Sequence, residues 1–164
     1  MKYAAWNEKL IDHVFGRRTD TSPVTRIPAT PEELCLARGS SPAVVANMSR
    51  QELDSVVTEF IACLKAELAD EKFALLRYCL HYREDGNWWA PGDDQQPYFF
   101  AMLWFTCLIA YGYPSDSERD FHSRMRAAFG TAISLQDNAL GGLDEVWEDL
   151  ARWTREHKGQ RELI

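Results

Sequence analysis

The sequence contains none of the short motifs by which several common catalytic and metal-binding sites are recognised. Its four cysteines form no CxxC pair, and HExxH, GxSxG and the two glycine-rich loops that hold phosphates are all missing. These absences argue against a zinc finger, a zinc protease of the HExxH type, an α/β-hydrolase and a nucleotide-binding domain with those loops. We therefore predict no metal site and no cofactor.

Signals for strands and for export are equally weak. No segment alternates apolar and polar residues over more than four positions, and the best strand candidate is Val24 to Ile27. The first residues lack the long apolar run of a signal peptide, so we expect a cytoplasmic protein. In that compartment cysteines stay reduced. This expectation applies to Cys35, Cys63, Cys79 and Cys107.

Basic residues are fewer than acidic ones. The chain has 18 Lys and Arg against 25 Asp and Glu, which gives a formal net charge of -7. An acidic chain repels a phosphate backbone, so nucleic acid is an unfavourable partner. Local basic clusters occur at Arg17-Arg18 and at Arg119, Arg124 and Arg126. The second cluster keeps a nucleic-acid helper as a third hypothesis for function.

Large apolar residues are abundant, and they are concentrated between Pro97 and Tyr111. This segment reads PYFFAMLWFTCLIAY, with Thr106 as its one clearly polar member. A helix that is apolar on every side has to be covered on every side. Its length is about 22 Å at 1.5 Å per residue, whereas the hydrocarbon core of a bilayer is about 30 Å thick. We therefore predict that it is the central helix of a soluble bundle and that the chain has no membrane span.

The rest of the chain predicts helices that surround this segment. Apolar residues recur at helical spacing over about 3–15, 53–68, 73–83, 121–129 and 143–153. Capping boxes at Thr30–Glu33, Ser49–Glu52 and Ser115–Glu118 mark three further helix starts. We predict an all-α fold in which residues 1–164 form a single domain. Its architecture is a compact bundle of six or seven helices around the buried helix at about 97–111.

Titratable residues form no grouping typical of an active site. The acid pairs Asp93-Asp94 and Glu148-Asp149 are expected to be solvated, because nothing around them indicates the burial that raises a catalytic pKa. The histidines are expected at the surface or at its boundary rather than on a metal. They are His13, His81, His122 and His157. We predict no catalytic residue.

Two adjacent tryptophans are the sequence feature that best indicates a binding site. Trp88 and Trp89 lie in the loop EDGNWWAPGDDQQP, and tryptophan is enriched at the energetic centres of interfaces. The pair has two alternative explanations, a lid folded over the central helix and a platform for base stacking. Asp93 and Asp94 argue against the second, because they repel phosphate. We expect one ring to be buried and the other to be partly exposed.

Two classes of function remain after these exclusions. The first is a non-enzymatic helical domain that binds a protein partner or a second copy of itself through Trp88 and Trp89. The alternative is a small-ligand-binding or enzymatic bundle with a pocket near the central helix. Its predicted pocket residues are His81, Asp94, Tyr98, Trp104 and Tyr111. A closed pocket with converging polar groups would favour the alternative, and a flat apolar patch would favour the first.

Parts of the sequence resemble a pattern found in other proteins. Residues 6–15, WNEKLIDHVF, resemble the WNxxLxxxFF opening of certain large bacterial proteins of unknown function. Residues 121–125 and 146–153 are similar to the FYxRL and LWEDLxxW segments of the same proteins. In those proteins the pattern belongs to an N-terminal helical region of a much longer chain. The resemblance implies a stand-alone or truncated relative of that region whose motifs are packing residues, without a catalytic residue.

Overall fold

A computed structural model describes residues 1–16, 24–25, 27–67, 97, 99–113, 120–129, 143–158 and 162–163. This part of the chain contains seven α-helices: α1 (Tyr3–Ile11), α2 (Pro31–Arg38), α3 (Pro42–Val45), α4 (Arg50–Glu67), α5 (Phe100–Ala110), α6 (Phe121–Phe129) and α7 (Leu143–Lys158). A π-helical turn, Asp12–Gly16, continues α1. Two short strands, β1 (Val24–Thr25) and β2 (Glu162–Leu163), are also present. The all-α prediction is confirmed, and the helix predicted over 73–83 lies outside the described residues.

The helix α5 is the buried centre that its composition predicts. From Phe100 to Ile109 every side chain is buried except that of Cys107, which is half-buried. The helix ends at Ala110, and the chain reverses at Gly112, whose φ of +109° lies in the left-handed region that glycine adopts without strain. No helix in the described ranges combines the length and the hydrophobicity that a membrane crossing requires.

Phe60 of α4 contacts both α1 and the central helix α5. Its ring lies edge-on to Trp6 of α1, with 5.2 Å between ring centroids, and edge-on to Trp104 of α5 at 5.7 Å. Edge-to-face pairs are favoured by the ring quadrupoles and contribute about 0.5–1.5 kcal/mol beyond the area that they bury. The helices α1, α4 and α5 therefore share one aromatic core.

Phe15 connects this core to the last helix, α7. It belongs to the π-turn, and its ring centroid lies 5.3 Å from that of Phe100 in α5 and 5.5 Å from that of Trp153 in α7. All three rings are buried. The π-turn is thereby held between the central helix and the last helix.

Two of the predicted capping boxes make their N-cap bond, and the one at Ser49 also makes the reciprocal bond. The hydroxyl of Thr30 accepts a hydrogen bond from the amide of Glu33 at 3.3 Å, at the start of α2. At the start of α4, the hydroxyl of Ser49 accepts from the amide of Glu52 at 3.3 Å, and the Glu52 carboxylate accepts from the Ser49 amide at 2.7 Å. These bonds satisfy amides that have no partner within their own helix.

The third predicted helix start, Ser115–Glu118, lies outside the described residues. The helix α6 begins at Phe121, directly after the non-helical Asp120. The carboxylate of Asp120 accepts a hydrogen bond from the amide of Ser123 at 2.9 Å. Asp caps a helix as well as Ser does, and Asp120 stands directly before the first apolar residue of the stripe.

A short parallel ladder joins the segment between the π-turn and α2 to the segment after α7. Val24 pairs with Glu162, and Thr25 pairs with Leu163. The strand β1 falls within the candidate Val24 to Ile27, whereas β2 was not predicted. A two-residue strand carries no alternating pattern that a sequence can reveal.

Candidate functional site

The structure describes two of the seven predicted binding residues. Five lie outside the described residues: His81, Trp88, Trp89, Asp94 and Tyr98. Trp104 is fully buried, whereas Tyr111 is 68% exposed. Although both belong to the central segment, Trp104 contributes to the core and Tyr111 to the surface.

Tyr111 lines an open depression of about 260 Å³, which we call the tyrosine groove. The groove lies where the start of α2, the start of α4 and the end of α5 meet. Its lining residues are Ala29, Thr30, Pro31, Glu32, Arg50, Leu53, Leu108, Tyr111, Gly112 and Tyr113. Three helices that are far apart in sequence thus form one surface.

The turn after α5 places two tyrosines differently in this groove. The amide of Gly112 donates to the carbonyl of Ile109 at 3.0 Å, and the amide of Tyr113 donates to that of Leu108 at 3.2 Å. The left-handed conformation of Gly112 makes this tight reversal possible. As a result Tyr111 projects into solvent, while Tyr113 is half-buried.

Charged groups lie on opposite walls of the groove. On the α4 wall, Nε of Arg50 is 3.3 Å from the carboxylate of Asp54. Burial is the main cause of a raised pKa for the hydroxyl of Tyr113, and Asp54 raises this pKa further while Arg50 lowers it. The Tyr113 hydroxyl therefore stays neutral at physiological pH. Glu32 is exposed on the α2 wall.

A second cavity, of about 380 Å³, lies where the π-turn faces the end of α2; we call it the histidine cavity. Its lining residues are Lys9, Asp12, His13, Gly16, Leu36, Ala37 and Gly39. The side chain of His13 is 9% exposed, and its Nε2 lies 2.6 Å from Oε2 of Glu33. The ammonium of Lys9 donates to the carbonyl of Arg38 at 3.2 Å.

Sequence reasoning missed this cavity. It placed His13 at the surface or boundary and gave it no partner. Glu33 is 20 residues further along the chain, and only the docking of α2 against the π-turn brings the two side chains together. No local spacing in the sequence signals that contact.

The prediction that both members of the pair Glu148-Asp149 are solvated is wrong. Glu148 is exposed, but Asp149 is 4% exposed and is hydrogen-bonded by the guanidinium of Arg152. Asp149 lies three positions after the buried Val146, so it falls on the flank of the apolar stripe of α7. The pair Asp93-Asp94 lies outside the described residues.

One of the three arginines considered for nucleic-acid binding has an internal contact. The guanidinium of Arg124 donates from Nη1 to the carbonyl of Ile109 at 3.4 Å, at the end of α5. A cation is favoured there, because the carbonyl end of a helix carries partial negative charge. Arg119 and the side chain of Arg126 lie outside the described residues.

The described cysteines are free thiols: Cys35, Cys63 and Cys107. Burial raises the pKa of all three, and it raises that of Cys107 to about 11. These thiols are therefore protonated and weakly nucleophilic at neutral pH. Within the described ranges, no group of three or more His, Cys, Asp or Glu side chains is arranged to hold a metal ion.

Comparison with known proteins gives no match of any kind: no family description, no curated protein and no solved structure. Function is therefore inferred from the two depressions. The tyrosine groove presents an exposed aromatic residue, and the histidine cavity presents a shielded imidazole with nearby charges.

Proposed function

We propose that this chain is a non-enzymatic helical domain that binds a protein surface through the tyrosine groove. The observation that carries the proposal is the exposure of Tyr111. At 68% it is the most exposed large hydrophobic side chain among the described residues, and it follows a helix that is buried from Phe100 to Ile109 except at Cys107. A tyrosine ring offers a large rigid contact at little cost in conformational entropy, which is why tyrosine is enriched at interface hot spots.

The dimensions and composition of the groove fit an inserted side chain better than a free ligand. A volume of about 260 Å³ is below the range of about 300–1,000 Å³ that is usual for small-molecule pockets. Leu53 and Leu108 supply apolar surface, and Glu32 and Arg50 supply charges around it. An apolar or aromatic anchor from a partner, surrounded by polar contacts, is the occupant that such a groove accommodates.

The alternative function, a small-ligand or enzymatic pocket built on Trp104 and Tyr111, has less support. The indole of Trp104 is enclosed by the core, and it does not line the groove that contains Tyr111. His81, Asp94 and Tyr98 stay predicted members of that pocket outside the described residues.

Two further expectations from the sequence enter the proposal. Trp88 and Trp89 are proposed as additional partner-binding residues on the basis of their loop composition. The chain is also proposed to be a cytoplasmic bacterial relative of the helical region with the WNxxLxxxFF pattern. In support of that relation, Trp6, Leu10 and Phe15 are packing residues, all buried in the core.

Replacing Tyr111 with serine tests the groove. Sedimentation velocity of the purified protein between about 1 μM and 1 mM, the range of weak association, detects binding between copies. We expect Tyr111→Ser to weaken association at least tenfold. Val44→Ser is the matched control, since Val44 is 55% exposed and does not line the groove.

A second measurement covers the case of a different partner. A photo-crosslinking amino acid is incorporated at position 111 in the cells that express the protein. It should capture one protein that the same amino acid at position 44 does not. Absence of association between copies, together with identical crosslinked products at both positions, would contradict the proposed function.

A further inference from the structure

The histidine cavity is not used by the proposed function. Short π-helical turns are uncommon and are frequently found at functional sites. Here the π-turn contributes Asp12, His13 and Gly16 to the lining of one cavity. The opposite wall is the last turn of α2 and its terminal Gly39.

Glu33 determines which nitrogen of His13 is available. Nε2 of His13 lies 2.6 Å from the Glu33 carboxylate, so in the neutral imidazole the proton is on Nε2. Nδ1 is then a hydrogen-bond acceptor. It is buried and has no hydrogen-bond partner in the described part of the chain. A buried acceptor without a donor is unfavourable, and a bound N–H group would satisfy it.

Two side chains of opposite charge, Lys9 and Asp12, line the same cavity as His13. The hydrogen bond from Lys9 to the Arg38 carbonyl uses one of the three donors of the ammonium group, so donors remain for an anion. Asp12 is exposed, and the carbonyl end of α2 adds partial negative charge on the facing wall. The lining thus includes one cationic and one anionic side chain.

We propose that the histidine cavity binds a small zwitterion of the amino-acid type with a short apolar side chain. The ammonium of the ligand donates to Nδ1 of His13 and pairs with Asp12, while its carboxylate accepts from Lys9. The side chain contacts Leu36 and Ala37. Because Nδ1 is shielded, binding moves the side chains that cover it aside and leaves the contact between Nε2 and Glu33 in place. The volume of about 380 Å³ lies in the usual range for ligand pockets.

A nuclear magnetic resonance titration with L-leucine tests the ligand class. The amide signals of Gly16 and Gly39 and the ring signal of His13 report on the cavity directly. We expect saturable shifts with a dissociation constant of about 1 mM or tighter. 4-Methylpentanoate lacks the ammonium and 3-methylbutylamine lacks the carboxylate, so each should bind at least tenfold more weakly than leucine. Unsaturable shifts, or equal responses to all three compounds, would overturn the proposal.

Variants at the charged positions test the mode of binding. Lys9→Met and Asp12→Asn change partly or fully exposed side chains, and each should weaken leucine binding at least tenfold. Lys65→Met, an exposed position on α4, is the control and should leave binding unchanged. Leucine binding that is unaffected by both cavity variants would also overturn the proposal.

A glycine variant tests the location without removing a charge. A Cβ atom at Gly16 would lie 3.7 Å from Cβ and Oδ1 of Asp12, which is ordinary van der Waals contact. Gly16→Ala should therefore fold normally while adding a methyl group to the cavity lining. We expect weaker binding of leucine with an unchanged melting temperature, and unchanged binding would place the ligand elsewhere.

Discussion

Asn7 shows how a single polar side chain can fix the start of a distant helix. It is 2% exposed; its Nδ2 donates to the carbonyl of Pro97, and its Oδ1 accepts from the amide of Ala101, both at 2.8 Å. Phe99, the N-cap residue directly before α5, makes no side-chain capping bond to that helix. A residue of α1 therefore supplies the capping bond that α5 lacks. The docking of α1 and the first turn of α5 are coupled by this one amide.

Removing that amide should destabilise the protein strongly. Asn7→Ala leaves the buried amide of Ala101 without its acceptor, which costs about 1–3 kcal/mol. The Pro97 carbonyl keeps the bond from the Phe100 amide, so its lost bond to Asn7 adds about 1 kcal/mol. We expect the free energy of unfolding in urea to fall by about 2–4 kcal/mol. Asn47→Ala is the matched control, because Nδ2 of Asn47 makes an exposed bond of 2.8 Å to the Ala43 carbonyl. The control should cost less than about 0.5 kcal/mol; a comparable loss in both variants would count against the coupling.

Glu52 should give the capping box of α4 a defined pH dependence. Hydrogen bonds from the hydroxyl and the amide of Ser49 lower the pKa of the Glu52 carboxyl in the folded protein. A lowered folded pKa stabilises the fold above the unfolded value of about 4.3, and this stabilisation is lost as pH falls through the folded pKa. In Ser49→Ala the hydroxyl bond is gone, so the pKa of Glu52 should rise toward its ordinary value.

A carbon-detected titration of the Glu52 carboxyl measures that shift directly. Ser41→Ala, which removes the cap of α3 instead, should leave the pKa of Glu52 unchanged. An unchanged pKa in Ser49→Ala would mean that the hydroxyl does not bind the carboxylate in solution.

At the scale of whole elements, α5 is expected to be the helix whose stability contribution is most sensitive to replacing a large side chain with alanine. Trp104→Ala removes a fully buried indole that packs on Phe60, and the cavity left behind should cost about 3–5 kcal/mol. Tyr111→Ala, seven residues further on, changes an exposed ring and should cost less than about 0.5 kcal/mol. Chemical unfolding of both variants measures the contrast. A cost below about 1 kcal/mol for Trp104→Ala would show that α5 is not central to stability.

Elements with local signals could be predicted, and elements that depend on distant contacts could not. The central helix is marked by one continuous apolar run, and the capping boxes at Thr30 and Ser49 each lie within four residues. The π-turn has no local sequence signal of its own, because the apolar spacing up to Phe15 is also the spacing of a continuous α-helix. Asp149 looks like a solvated acid because polarity alone does not show which side chains a helix flank buries.

The candidate sites are properties of the whole molecule. Tyr111 was predicted as one residue of a pocket near the central helix, whereas the groove that it lines is formed with Thr30 and Arg50 from two other helices. In the same way His13 gains its partner Glu33 only through the docking of α2 on the π-turn. Spacing within one segment does not encode these contacts, so sequence reasoning could name single residues but not the surfaces that they form.

Trp88 and Trp89 give the last prediction, which concerns how copies or partners assemble. Gly86 and Pro91 supply turn chemistry around the pair, and successive residues of an extended loop tend to point to opposite sides. One indole should therefore pack inward and the other should be exposed. Of the variants Trp88→Ser and Trp89→Ser, we expect one to lower the melting temperature by roughly 10 °C, as loss of a buried indole does in a chain of this size.

The other variant should leave the melting temperature nearly unchanged and weaken association in sedimentation velocity. Trp147→Ser is the control for a half-buried indole on α7, and it should reduce stability without a specific effect on association. Both loop residues lie outside the described residues, so this comparison also determines which ring is buried. If both loop variants lose stability equally and associate as the wild type does, the pair is structural. The exposed Tyr111 would then be the better candidate for the partner contact, because its ring is already solvent-exposed in the folded chain.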